Sequence, residues 1–117
     1  MAVDYQLGEM ESRFADIIWS EPGISTSKLV EICEKELAWK RTTTYTVLKK
    51  FENRGIFAKE DGVIRVLISR DDFYAMQSEN YVEKSFQGSL PHFLAAFTSR
   101  RKLSEKEIQE IEKIINK

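Results

Sequence analysis

A chain of 117 residues with 42% hydrophobic and 11% aromatic side chains has enough apolar mass for one folded domain, or one domain with a helical appendage, and is too short for two full domains. That apolar share excludes a disordered chain, and the single cysteine, Cys33, excludes an internal disulfide framework or a CxxC metal knuckle. The formal net charge of −1 by itself argues against a nucleic-acid partner, because phosphate affinity comes from Lys and Arg.

From Leu7 to Trp19, apolar residues recur at helical spacing (Met10, Phe14, Ile17, Ile18), with Gly8 before them and Glu9 and Glu11 in the favourable first turn, so a first helix is predicted. Ser20-Glu21-Pro22-Gly23 spells a turn. Ile24 supplies a short strand residue, and Ser25 caps a second helix from about Thr26 to Leu37, with Leu29, Ile32 and Cys33 inward. In that row Cys33 reads as a small core residue rather than a nucleophile or sensor. After a break at Ala38 and Trp39, a third helix is expected over Thr42 to Arg54, with Tyr45, Leu48 and Phe51 sharing a face and Val47 flanking it. Its start is weakly marked: Lys40 and Arg41 are poor caps, and Thr42 is an alternative one.

Gly55 ends the third helix, and Ile56–Lys59 and Val63–Ile68, placed around Glu60-Asp61-Gly62, read as a hairpin lying against the helices. Ser69-Arg70-Asp71-Asp72 opens a fourth helix to about Gln87, bearing Phe73, Tyr74, Met76, Tyr81, Val82 and Phe86, and Gly88 stops it. A fifth helix, Leu90 to Ser99, tolerates Pro91 in its first turn and carries Phe93, Leu94 and Phe97. Ser104 to Glu107 forms a second capping box, and Ile108, Ile111, Ile114 and Ile115 make the inner face of a sixth helix. With no basic or apolar leader and no segment long enough to cross a bilayer, a soluble cytoplasmic protein without membrane insertion is expected.

Between Lys40 and Arg65 seven bases (Lys40, Arg41, Lys49, Lys50, Arg54, Lys59, Arg65) stand against three acids (Glu52, Glu60, Asp61), a local excess of four in a slightly anionic chain. Three helices and a hairpin, with basic charge gathered on the last helix and the hairpin, form the pattern of a winged helix-turn-helix. The fold expected is therefore mainly α with a small β-hairpin: a DNA-binding domain over residues 1–69 and a three-helix dimerisation region over residues 70–117.

With Leu48 and Phe51 inward, Thr43, Thr46, Lys49 and Lys50 point outward, where a helix meets the major groove of a duplex. Threonine methyls pack on thymine methyls, their hydroxyls make hydrogen bonds, and lysines neutralise phosphates. Arg41 and Thr42, at the amino end, suit a backbone phosphate. Lys59 and Arg65 flank the hairpin tip and would meet an adjacent phosphate or the minor groove, although Glu60 and Asp61 oppose this. A solvated polar face is the bland alternative for any one of these residues, and it explains the group less well.

In the tail, Tyr74, Tyr81, Phe86, Phe93 and Phe97, with Ile108, Ile111, Ile114 and Ile115, exceed what three short helices hide alone, which points to a homodimer. A two-fold dimer would present two recognition helices to a palindromic double-stranded DNA operator. The alternative is a tail that folds back on its own first domain. Enzyme readings have little support: His92 lies between Pro91 and Phe93 without a serine or cysteine partner, and no glycine-rich phosphate loop exists. No catalytic residue, metal site or cofactor is expected, and Trp19 and Trp39 read as packing residues. A winged helix that docks on an acidic protein is the rival from another class.

Leu7-Gly8-Glu9-Met10-Glu11, Ile18-Trp19, Thr42-Thr43-Thr44-Tyr45-Thr46-Val47-Leu48 and Phe51-Glu52-Asn53-Arg54-Gly55-Ile56 together resemble the penicillinase-repressor family of transcriptional regulators, of the BlaI/MecI type. The likeness continues through Phe86-Gln87-Gly88-Ser89, Phe93-Leu94, Phe97 and Leu103-Ser104-Glu105-Lys106-Glu107-Ile108 up to Ile115. This resemblance implies a homodimeric repressor on a dyad operator. It also implies, for members that control β-lactam resistance, a membrane sensor-protease and cleavage in the fifth helix before a phenylalanine, here the Ala96–Phe97 bond. Ala96 stands where the resistance repressors have asparagine, and an ordinary dimer-core role for Phe97 is the other reading. The cysteine cluster of a copper-responsive branch is absent, so metal sensing by that route is not implied.

Overall fold

The computed structural model describes residues 6–117; residues 1–5, where the sequence reads as free of a leader, lie outside the described residues. Six helices and one hairpin follow in order: α1 (Glu9–Ser20), α2 (Thr26–Leu37), α3 (Arg41–Asn53), β1 (Phe57–Glu60), β2 (Val63–Val66), α4 (Arg70–Phe86), α5 (Leu90–Arg100) and α6 (Glu105–Ile115). The mainly helical class with one small hairpin is as expected. The chain forms two compact units, the first up to Ser78 and the second from Glu79.

Local chemistry starts and stops these elements. Glu11 accepts the Gly8 backbone N–H at 3.2 Å ahead of α1. The Ser25 hydroxyl accepts from the Lys28 N–H at 3.1 Å and opens α2, as a short polar cap should. The turn between α2 and α3 is made by Ala38, which takes a left-handed φ of 56° and closes α2 through the Trp39 N–H to the Cys33 carbonyl at 3.2 Å. An alanine at such a position is costlier than glycine, so the packing around it must hold it there.

Several expected boundaries move: β1 starts at Phe57 rather than Ile56, β2 stops at Val66 rather than Ile68, and two further shifts bear on the site. α3 starts at Arg41, one residue before Thr42, and its N-cap is Lys40, whose side chain makes no capping hydrogen bond. The three-residue turn with Trp39 packed on the core sets that start, not side-chain capping. In the hairpin Glu60 belongs to β1, so the turn shrinks to Asp61-Gly62. Both turn residues have positive φ, 50° and 77°. That pair of left-handed residues is the type I′ solution, whose twist matches that of the strands. Ile24 does reach the sheet: the Ile64 N–H donates to the Ile24 carbonyl at 2.8 Å, and Thr26 N–H to Gly62 at 2.9 Å. The hairpin, marginal by itself, is thus edged by the α1–α2 connection.

Strand register decides which hairpin side chains face the helices. Phe57 pairs with Val66, Ala58 with Arg65, Lys59 with Ile64 and Glu60 with Val63. Directly opposed residues share a face, so Phe57, Lys59, Ile64 and Val66 lie on the inner side and Ala58, Glu60, Val63 and Arg65 on the outer. Phe57 and Ile64 are fully buried accordingly.

The core of the first unit joins Phe14, Ala15 and Ile18 of α1, Leu29, Cys33 and Leu37 of α2, Leu48 and Phe51 of α3, Ile56, Phe57 and Ile64 around the hairpin, and Phe73 of α4. An unbroken chain of rings runs through it. Trp39 stacks on Phe14 (5.5 Å between centroids), Phe14 meets Phe51 (5.4 Å), Phe51 meets Phe57 (5.4 Å), Phe57 meets Trp19 (5.6 Å), and Trp19 meets Phe73 (5.5 Å). Each ring buries a large apolar area in offset or tilted geometry, so α3 and the hairpin are locked to one scaffold. The Trp19 indole N–H is satisfied by the Ile68 carbonyl at 2.9 Å, and Arg70 ties the start of α4 to Asp16 of α1 at 2.9 Å.

α3 buries Thr44, Leu48 and Phe51, a spacing of four and three. Tyr45, expected on the inner face, is only half-buried, and Thr44 takes the inward position. The Thr44 hydroxyl is buried without a hydrogen-bond partner. Burial pushes the pKa of the neighbouring Cys33 thiol up. A protonated, buried thiol is inert, in keeping with a packing role for Cys33.

The second unit is built differently. Ser89 caps α5 by accepting the His92 N–H at 3.1 Å. Ser104 and Glu107 make a reciprocal capping box on α6 at 3.1 and 2.9 Å, and those hydrogen bonds hold the Glu107 carboxyl below its ordinary range. Rings of α4 and α5 touch edge to face, Phe86 with Phe93 at 5.6 Å and Tyr81 with Phe93 at 6.2 Å. Yet no residue from Glu79 onward is buried.

Candidate nucleic-acid interface

Every residue expected to meet DNA (Arg41, Thr42, Thr43, Thr46, Lys49, Lys50, Lys59 and Arg65) is exposed. Six of them stand on α3 and two on the hairpin, which the Phe51–Phe57 contact holds against α3. Burial of Thr44, Leu48 and Phe51 on one side turns Thr42, Thr43, Thr46, Lys49 and Lys50 to the other.

Most cations on this surface have no carboxylate partner among the described residues. Among the described residues, Lys28, Lys35, Arg54, Arg65, Arg70 and Arg101 each have a carboxylate partner. Of the twelve cations absent from those pairs, five (Lys40, Arg41, Lys49, Lys50 and Lys59) lie in or beside α3 and β1. Arg54, the C-cap of α3, turns toward the start of α1, reaching Glu11 at 3.9 Å and the Gln6 carbonyl at 3.4 Å. Salt bridges between exposed groups are individually weak, but they do cancel local charge, so leaving a patch without them preserves its positive potential.

The hydroxyls are not equivalent. Thr46 already donates to the Thr42 carbonyl at 2.9 Å, so its oxygen remains available as an acceptor and its methyl as an apolar contact. Thr42 and Thr43 stand in the first turn, where the backbone N–H groups have no side-chain cap. The structure separates the two hairpin cations. Lys59 is on the inner face beside α3, whereas Arg65 is on the outer face and reaches Glu60 at 3.4 Å.

Tyr45 was not among the expected site residues. Its ring lies 5.6 Å from the Arg41 guanidinium carbon and 5.5 Å from the Lys59 ammonium. The i, i+4 spacing of Arg41 and Tyr45 signals half of this arrangement in the sequence. The Lys59 half depends on strand register.

In the tail, Tyr81 is 53% exposed, Phe97 40%, Ile108 42% and Ile115 68%, whereas Phe86, Phe93 and Ile111 are half-buried. Tyr74 packs against Trp19 and Phe73 in the first unit, with the Arg70 guanidinium 4.9 Å from its ring. Ala96 and Phe97 lie in the middle of α5, both exposed. Among the described residues no cluster of His, Cys, Asp and Glu is arranged to hold a metal ion, and no helix is long and apolar enough to cross a membrane.

Comparison with known proteins places this geometry. The chain is similar to the methicillin resistance regulatory protein MecI of Staphylococcus aureus strain Mu50, 26% identical over 97% of this chain and 95% of that protein. It is equally similar, 26% over the same shares, to the MecI of Mammaliicoccus sciuri. It is 23% identical to the penicillinase repressor of Bacillus licheniformis over 94% of this chain and 89% of that protein. The penicillinase repressor family model matches residues 7–117. The chain belongs to the penicillinase repressor family.

Proposed function

We propose that this chain is a transcriptional repressor that binds a palindromic operator as a homodimer, with residues 1–69 as the DNA-binding domain and residues 70–117 as the dimerisation region. One observation carries the reading: on a chain of net charge −1, the cations of α3 and β1 are all exposed and, among the described residues, have no carboxylate partner. Thr43 and Thr46 enter the major groove, Lys49 and Lys50 beside them neutralise phosphates, and Arg41, Thr42, Lys59 and Arg65 take flanking phosphates. Family membership supports repression, and its relatives are named as a methicillin resistance regulatory protein and a penicillinase repressor.

The tail supplies the second copy. Phe97, Ile108 and Ile115 are exposed and Phe93 and Ile111 half-buried, so pairing two tails removes apolar surface that one tail leaves in water. Relief of repression follows from cutting the Ala96–Phe97 bond by a membrane sensor-protease, because a severed tail forfeits the effective concentration of the second half-site. No catalysis by the chain itself is involved.

Titrating duplex affinity against salt tests the reading. Log affinity should fall with log salt by about 0.9 for each phosphate neutralised, and Lys50→Ala should lower that slope by about one. Thr46→Ala should weaken the operator more than random duplex. A flat salt response, or both variants binding the operator like the parent, would overturn the recognition-helix assignment. A chain that stays intact in cells exposed to the inducer would remove the proteolytic step.

A further inference from the structure

Five cation–ring contacts occur among the described residues, and they fall into two kinds. Arg54 over Phe51, Arg70 over Tyr74 and Arg101 over Phe97 each also pair with a carboxylate, respectively Glu11 at 3.9 Å, Asp16 at 2.9 Å and Glu107 at 2.9 Å. Arg41 and Lys59 do not, and both use the same ring, Tyr45.

The distinction matters because of what each partner does to charge. A carboxylate holds a cation by cancelling it. An aromatic face attracts it through the ring quadrupole and leaves the full positive charge for a further anion. Nearby cations show the alternatives: Arg65 is held but compensated by Glu60, while Lys49 and Lys50 are exposed and uncompensated with no ring beneath them. Arg41 and Lys59 are both held and uncompensated. One comes from the start of α3, the other from the inner face of β1, and the half-buried Tyr45 joins them.

We propose that Tyr45 is a positioning residue that gathers Arg41 of the recognition helix and Lys59 of the hairpin into a single seat for one backbone phosphodiester of a DNA duplex. This rests on the DNA-binding reading above. Two long side chains restrained beforehand lose less rotamer freedom when the phosphate arrives, so the seat fixes the register of helix and wing together.

Salt titrations of the full chain and its variants on a random-sequence duplex test this, together with the proton spectrum of the free protein. Tyr45→Phe keeps the ring and should keep the parent's salt slope. Tyr45→Leu should lower the slope by about one to two, and adding Lys59→Ala to it should cost less than Lys59→Ala alone. In the unmodified protein, ring current should shift the Lys59 ε-methylene protons upfield, a readout that needs no variant to fold. A parent with a steep slope that Tyr45→Leu does not change, or unshifted Lys59 protons, overturns the seat and leaves DNA binding standing. A parent with no salt-dependent binding overturns both.

Discussion

Up to Ser78 the chain closes thirteen apolar residues into a core of its own, whereas from Glu79 to the end none of the side chains is buried despite four phenylalanine or tyrosine rings and a row of isoleucines. The two regions differ modestly in apolar supply, 35 of 78 residues in the first against 14 of 39 in the second. They differ more in dimensionality: three helices and a sheet enclose a volume, while short helices with one greasy stripe each have only surface to offer one another. In the proposed dimer a second copy, presenting the same stripe, completes the second region. The first unit spends its aromatic residues on holding α3 and the hairpin still, and the second leaves its own at the surface.

Phe14→Ala attacks the enclosed core where Trp39, Phe14 and Phe51 stack, and should cost about 3–5 kcal/mol. That is a large part of the roughly 5–15 kcal/mol that holds a typical domain. Urea unfolding followed by tryptophan emission measures it, and a loss under 1 kcal/mol would mean the ring chain is not the scaffold.

Ile111→Asp probes the open region. It should leave the unfolding of the first unit unchanged, yield a monomer by sedimentation, and weaken operator binding at least about 10²-fold through lost avidity. A variant that stays dimeric would move the interface off the α6 face.

Thr44→Val sharpens the comparison from inside the core. It removes a buried hydroxyl that has no partner, so stability should rise by about 1 kcal/mol while duplex affinity stays the same. Calorimetry that showed a fall of similar size would mean the hydroxyl makes a hydrogen bond with the Cys33 thiol.

Much of this was legible beforehand because it is short-range. Ser25, Ser69, Ser89 and Ser104 mark helix starts by a side-chain oxygen that reaches a backbone N–H three residues on, and apolar spacing marks the faces. The outward side of α3, with Thr43, Thr46, Lys49 and Lys50, follows from Leu48 and Phe51 alone. Tyr45 misled for the same reason: it lies three residues from Leu48, and a large ring beside an apolar row reads as core.

What residue order alone determined is the sequence of helices and hairpin, the basic excess between Lys40 and Arg65, and the apolar stripe of the tail, since each depends on neighbours within a turn or two of chain. Folding in three dimensions decided that Thr44 goes in where Tyr45 stays half out, that α3 begins at Arg41, and that Lys59 and Arg65 part to opposite faces of the sheet. Those outcomes depend on strand register and on which side chain fills the space between packed elements, and such distances close only when residues far apart in the chain meet.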